Sequence, residues 1–300
     1  MTCFRLIHIS DLHFATRPYI LNSSFIYRSD LPGDPRVKAS YELLQSSHDE
    51  DVVRRLRRFL SARVRSSAVE DHFDLVVVSG DLAATGLRSH LQVARGFIEG
   101  TASLPIEAQH HVAHCGVPSR KIFLMPGNHD RFKPAHPITK RIAEALEPGG
   151  VEFDVVFGDF WPSSADTVAK CKIGDCERKV VARCLPGKPG LCVVAADFCL
   201  RHEDDAEGIW NLRPFAYAGQ GRVYKEVLDA IVDTTKTFQS QQPPTAVIWM
   251  IHFPPLLPTE LATLEQWKRL IGAKHVIKAA KDAQVGLILA GHIHKDRMSI

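Results

Sequence analysis

Five short clusters of potential metal ligands punctuate the chain: Asp11-Leu12-His13, Gly80-Asp81, Gly127-Asn128-His129-Asp130, His252, and Gly291-His292-Ile293-His294. Carboxylate and amide oxygens are hard donors, and imidazole nitrogens suit Mn, Fe, Zn or Ni. Two divalent cations about 3.5–4 Å apart can hold both the attacking and the leaving oxygen of a phosphoryl transfer. Such a pair needs a carboxylate that bridges both ions, together with further oxygen and imidazole ligands. Asp11, His13, Asp81, Asn128, His252, His292 and His294 supply that inventory. A single Asp or His at the end of a strand is ordinarily a turn or capping residue. All of these together, in this order, would require both spacing and sequence order to be accidental.

Each cluster directly follows an apolar run. Residues 4–10, 74–79, 121–125, 246–251 and 285–290 read as buried strands, stopped by Gly, Pro or a polar residue. In open α/β sheets the ligand site lies beyond the carboxyl ends of the strands, so clusters at five such ends are expected to converge. Asp11 and His13 alternate on a segment expected to be extended, which turns both to one side, and His292 and His294 repeat that spacing. A glycine precedes Asp81, Asn128 and His292, which suits backbone that passes close to the site.

Between these strands, helices are expected at about 49–65, 88–99, 136–147, 221–238 and within 259–283. Asp49, Glu50 and Asp51 sit favourably at the positive end of the first, and Val52, Val53, Leu56, Phe59, Leu60 and Val64 form its apolar stripe. Apolar runs at 151–157, 179–185 and 191–198 read as strands of a second sheet, and residues 11–48 read as irregular. The 300 residues fit one α/β enzyme domain, and a formal charge of +3 does not by itself argue for nucleic acid. No run approaches the roughly 18 apolar residues that span a bilayer, and the amino terminus lacks a signal-peptide pattern. With seven cysteines and no regular framework, reduced thiols in a cytoplasmic protein are expected.

The order D-x-H, G-D, G-N-H-D, a lone His before Pro-Pro, and G-H-x-H resembles the calcineurin-like metallophosphoesterase family from residue 6 to residue 294. Gly80-Asp-Leu-Ala-Ala-Thr-Gly86 and His252-Phe-Pro-Pro255 look most like its bacterial cyclic-nucleotide phosphodiesterase branch. The resemblance implies an α/β (α+β) four-layer sandwich, two mixed β-sheets flanked by helices. It also implies two divalent metal ions, Mn, Fe or Zn, at the strand carboxyl ends. Asp11, His13 and His294 would bind one ion, Asn128, His252 and His292 the other, and Asp81 would bridge them. A metal-bridging hydroxide would attack phosphorus. His129 would not be a ligand but would reach the scissile phosphate and protonate the leaving group, with Asp130 orienting it. The expected activity is hydrolysis of a phosphodiester such as a cyclic nucleotide. A nuclease acting on DNA or RNA with the same site, or a catalytically idle scaffold, are the alternatives. The family's G-H-x-H segment is normally followed by further strands, so the natural chain is expected to continue past Ile300.

Other clusters read as ordinary structure. His110, His111 and His114 lack a partner at ligand spacing and are expected in a solvated helix end or loop. Cys171, Cys176, Cys184, Cys192 and Cys199 contain no C-x-x-C pair, and packing is the expected role of Cys192 and Cys199 beside an apolar strand. Arg54, Arg55, Arg57, Arg58, Arg63 and Arg65 read as a solvated helix face, with steering of polyanions as the other possibility. Arg17 and Tyr19 lie where a loop after the first ligand cluster would line a substrate pocket.

Overall fold

A computed structural model of the chain describes residues 3–15, 17–19, 47–68, 72–84, 86–100, 114–134, 146–148, 152–162, 168–185, 190–200, 221–256 and 270–292. Three parallel strands, β1 (Leu6–Ile9), β2 (Leu75–Ser79) and β3 (Ile122–Met125), form one sheet in that spatial order. The second sheet has β4 (Val168–Ile173), β5 (Cys176–Leu185), β6 (Leu191–Ala196), β7 (Ala246–Met250) and β8 (Ile288–Leu289). Its spatial order is β8-β7-β6-β5-β4; β6, β7 and β8 are parallel, and β5 is antiparallel to both of its neighbours, β6 and β4.

Side-chain alternation sets the layers. Val181, Val193, Ala195 and Met250 point from the second sheet into a core shared with β2 and β3. Their neighbours Val180, Ala182, Cys192, Val194 and Trp249 fill a second core under helices at Lys225–Gln239 and Ala273–Asp282. β2, Leu-Val-Val-Val-Ser, is buried along its whole length, as a parallel strand covered on both faces must be. Helices α1 (Glu50–Arg65) and α2 (Arg88–Glu99) join the first core through Val53, Leu60, Leu91, Ala94 and Phe97. One-turn helix α3 (Asn128–Arg131) follows β3, and α4 is the short helix Glu152–Val156. The two later helices are α5 and α6. Helices, sheet, sheet and helices thus stack in the expected α/β arrangement. No helix among the described residues is long and apolar enough to cross a membrane.

Several local expectations are corrected. Residues 152–156 are helical rather than a strand, because Phe153, Val156 and Phe157 bury at i, i+3 and i+4 while Val155 is 58% exposed. Residues 17–19 and 47–49 pair as short parallel strands within the stretch read as irregular. The proposed helix at 136–147 lies mostly outside the described residues, and its end is a strand, Leu146–Pro148, paired antiparallel with Phe132–Pro134. Gly221–Arg222 and Leu270–Ile271, both placed within helical regions, pair with each other as strands, while residues 257–269 lie outside the described residues. β1 and β8 are edge strands, so both are only partly buried where fully buried strands are expected, and His8 of β1 is exposed. The apolar stripe of α1 is narrower than the sequence implies: Val53 and Leu60 are buried, whereas Val52, Phe59 and Val64 are exposed on its flanks. Cys184 and Cys192, expected to be reduced, are joined as a disulfide across the antiparallel β5–β6 pair, with Cα atoms 4.0 Å apart. Their residues oppose one another in the ladder register, a tertiary fact that cysteine spacing does not reveal. Cys171 and Cys199 are buried free thiols, in keeping with a packing role.

Candidate metal centre

The ends of β1, β2, β3, β7 and β8 meet at one place. Past β1 and β2 the backbones run side by side: Asp11 N–H donates to Gly80 O at 3.1 Å and His13 N–H to Asp81 O at 3.0 Å. Asp11 (φ 58°), His13 (φ 49°), Asp81 (φ 52°) and His292 (φ 75°) all have left-handed backbone. Gln284 is the only other non-glycine residue of this kind among those described. This corrects the expectation of an extended D-x-H segment: local turns, not strand alternation, aim these side chains. Such conformations cost about 1–3 kcal/mol each and persist only where the surroundings over-determine them.

Space at the centre is tight. A Cβ on Gly127 would lie 2.5 Å from Asp81 N and 2.8 Å from His252 Cε1, so only glycine lets the loop after β3 pass so close to the loop after β2. The next residue, Asn128, is 2% exposed and sets its Oδ1 2.9 Å from His252 Nε2.

His252 lies at the crossing of these contacts. Its Nδ1–H donates to Ser79 O at 2.7 Å, which leaves Nε2 facing Asn128 Oδ1 and, at 3.2 Å, Asp81 Oδ2. With Nε2 unprotonated, three acceptor atoms converge there, a contact that a proton or a cation relieves. Burial opposes a charge on His252, but the Asp81 carboxylate outweighs it and raises the pKa to about 9. Burial likewise works against the Asp81 charge, yet His252 and His129 hold it well below the usual carboxylate range. Burial, then the neighbouring His252, depress His292 to about 3, so its ring is neutral and keeps a lone pair for a metal. Both ring nitrogens of His292 are buried with no hydrogen-bond partner among the described residues, and Oδ2 of Asp81 is buried with only His252 Nε2 against it. Leaving such atoms bare costs about 1–3 kcal/mol each. A divalent cation fits this donor set.

Two groups of potential ligands share Asp81. His13, Asp81 and His129 bring their donor atoms within 4.8 Å of one another, and Asp81, His252 and His292 do the same. Of the expected ligands, Asp81, Asn128, His252 and His292 are thereby brought together, with His13 beside them. Asp11 joins through its carboxylate, which accepts the His292 N–H. His294 lies outside the described residues.

His129 lies beside the cluster, and Asp130 finds partners other than its ring. His129 Nδ1–H donates to Ala84 O at 2.8 Å, its backbone N–H donates to Asp81 Oδ1 at 2.9 Å, and its ring stands edge-on to His13 at 4.6 Å. It therefore sits beside His13 and Asp81, with a donor atom within 4.8 Å of theirs. Asp130 does not orient that ring. Its buried carboxylate accepts the N–H groups of Ala83 at 2.8 Å, Gly127 at 2.9 Å and Leu82 at 3.2 Å. Burial and the nearby Asp81 charge push its pKa up to about 7, against the pull of those donors.

The sequence reading overlooked the carbonyls of Ser79 and Ala84, which carry no sequence signal. It also passed over Asp197, which does carry one, because it follows the apolar strand β6 as directly as the ligand clusters follow theirs. Asp197 is fully buried and pairs with Arg131 at 2.7 Å. His114, from the other histidine patch, is exposed and its ring contacts Ile98 O at 3.1 Å, while His110 and His111 lie outside the described residues. Arg54, Arg55, Arg57, Arg58 and Arg65 are exposed on α1, as a solvated face requires. A cavity of about 400 Å³ lined by Gly190, Gln241 and Thr245 lies at the amino ends of β6 and β7, the opposite pole from the ligand cluster.

A family model described as calcineurin-like phosphoesterase matches residues 4–296. No curated protein matches the chain.

Proposed function

This chain belongs to the calcineurin-like phosphoesterase family, and on that premise we propose that it is a phosphodiesterase working with two divalent cations, Mn, Fe or Zn. Membership itself makes it a metal-dependent hydrolase of phosphate esters. The observation that carries the two-cation reading is the sharing of Asp81 between two ligand groups. Asp11, His13 and His294 would hold one ion, Asn128, His252 and His292 the other, and Asp81 both. Bound cations of this kind supply a water that ionises near about pH 7 and offset the charge growing on the phosphoryl oxygens.

The chain's own residues set the rest. Ser79 O fixes the His252 tautomer and so presents Nε2 to the site. Ala84 O fixes His129 in the same way, so its Nε2 faces inward. In the imidazolium form, Nε2–H of His129 can donate to the departing oxygen.

We favour a small phosphodiester, such as a cyclic nucleotide, over a nucleic-acid strand. A nuclease reading gains if the arginine-bearing helix borders the site. Instead, the middle of α1 packs beside residues 114–115, which precede β3: Arg57 donates to His114 O at 3.1 Å and Ser61 to Cys115 O at 3.2 Å. Those residues lie toward the amino ends of the strands, away from Asp81. An idle scaffold has no use for a buried His292 ring with neither nitrogen hydrogen-bonded. The test is metal analysis of the purified protein combined with a panel of cyclic nucleotides, phosphomonoesters and single-stranded DNA under added Mn²⁺. Two bound cations and preferential turnover of a cyclic nucleotide support the proposal. Preference for DNA would replace it with the nuclease, and binding of metal without any turnover with the scaffold.

A further inference from the structure

Residue 131 sits directly after the ligand turn, is an arginine, and is 2% exposed. A guanidinium so deep in the protein is expensive unless fully paired. Its partners come from elsewhere in the chain. Nη2 and Nε donate to Asp197 Oδ2 at 2.7 and 3.1 Å, and Nη1 donates to Asp154. Asp197 is in turn fixed by the Cys199 N–H on its Oδ1 at 3.0 Å.

Two neighbouring side chains therefore bolt α3 in opposite directions. Asp130 ties it to the loop after β2 in the first sheet, through Leu82 and Ala83. Arg131 ties it to the end of β6 in the second sheet. β6 is the strand paired with β7, through Ala195 opposite Met250, and β7 leads straight into His252. Asn128 Oδ1 and His252 Nε2 belong to different sheets, yet they must meet at 2.9 Å. The Arg131–Asp197 pair spans the same gap.

We infer that Arg131, held by Asp197, is a positioning residue that sets Asn128 against His252 for cation binding. The inference rests on the metal-dependent reading above. It differs from a purely stabilising role in one measurable respect. A buried ion pair is weak evidence for stability, since apolar replacements often do as well. Groups that orient metal ligands, by contrast, cost about tenfold to a hundredfold in metal affinity when lost.

The experiment titrates the metal-depleted full chain with Mn²⁺ by calorimetry and records a urea denaturation midpoint for each variant. Arg131→Met and Asp197→Asn are compared with Arg178→Met. Arg178 is another buried cation of the same network, 3.8 Å from the same Asp197 oxygen, but its hydrogen bonds go to Cys199 O and Leu200 O and it carries no ligand turn. The expected result is a loss of Mn²⁺ affinity of about tenfold or more in Arg131→Met and Asp197→Asn. Arg178→Met should lower the urea midpoint while keeping wild-type affinity. If Arg131→Met does not fold, the isosteric Asp197→Asn decides the matter. Wild-type affinity in either folded variant, or an equal loss in Arg178→Met, overturns the inference. Failure of the wild-type chain to bind Mn²⁺ would overturn the metal reading itself, a separate and visible outcome.

Discussion

The backbone N–H of His292 donates to both carboxylate oxygens of Asp11, at 3.1 and 2.9 Å, across 281 residues of chain. The end of β8 is thereby held against the end of β1, although the two strands lie in different sheets. The same carboxylate is an expected cation ligand, so tether and ligand are one group. Asp11→Gly removes the carboxylate without backbone strain, because glycine accepts φ 58° freely. Amide hydrogen exchange at His292 is expected to accelerate and Mn²⁺ affinity to fall. Unchanged protection at His292 would show that the tether is idle.

Gly127→Ala is expected to disturb the site more than its size suggests. The added methyl meets the Asp81 carboxylate and its backbone nitrogen, and neither can move without shifting a ligand. Overpacking of this kind costs about 1–3 kcal/mol. Calorimetry should show weaker cation binding together with a lower denaturation midpoint. A variant that folds and binds metal normally would mean that the two loops are not so closely apposed.

His129→Ala separates proton donation from positioning. If His129 protonates the leaving oxygen, turnover of alkyl phosphodiesters should fall by about 10²-fold or more. Esters of p-nitrophenol, which leave without a proton, should suffer much less. His129 also lies with His13 and Asp81, so metal content should be measured on the same preparations. Equal losses for both leaving groups, accompanied by lost metal, would assign it to the ligand set instead.

The His252–Asp81 pair predicts opposite pH trends for folding and metal binding. The folded pKa of His252 stands above its ordinary 6.5, at about 9. Its protonation therefore stabilises the metal-free protein fully below the unfolded value, and that contribution drains away as pH rises through the folded one. Cations need Nε2 without its proton, so their affinity should climb over the same interval. Between about pH 6.5 and 8.5 the urea midpoint of chelator-treated protein should fall, while apparent Mn²⁺ affinity rises. A flat midpoint with flat affinity would show that His252 is not protonated by its pairing with Asp81.

Residue order was enough to locate the buried strands and the polar residues at their carboxyl ends. Leu75–Ser79, Ile122–Met125 and Ala246–Met250 are apolar runs, and burial of such runs forces the next polar residue to a sheet end. Asp81, Asn128 and His252 could therefore be singled out before any fold was known. The aim of those side chains was settled only by folding. The left-handed turns at Asp11, His13, Asp81 and His292 bend them toward one point. The carbonyls of Ser79 and Ala84 select ring tautomers, and N–H groups of Leu82, Ala83 and Gly127 occupy Asp130. Backbone groups are the same in every residue, so no residue type announces them. Partnership between distant residues was equally silent: Arg131 finds Asp197 66 residues on, and Cys184 meets Cys192 only through strand register. Local periodicity misled at 152–156, where a short apolar run fits either a strand or a helix and only the face it buries distinguishes them. Composition and spacing choose the chemistry, but the geometry that enables it depends on which distant backbone atoms come within about 3 Å.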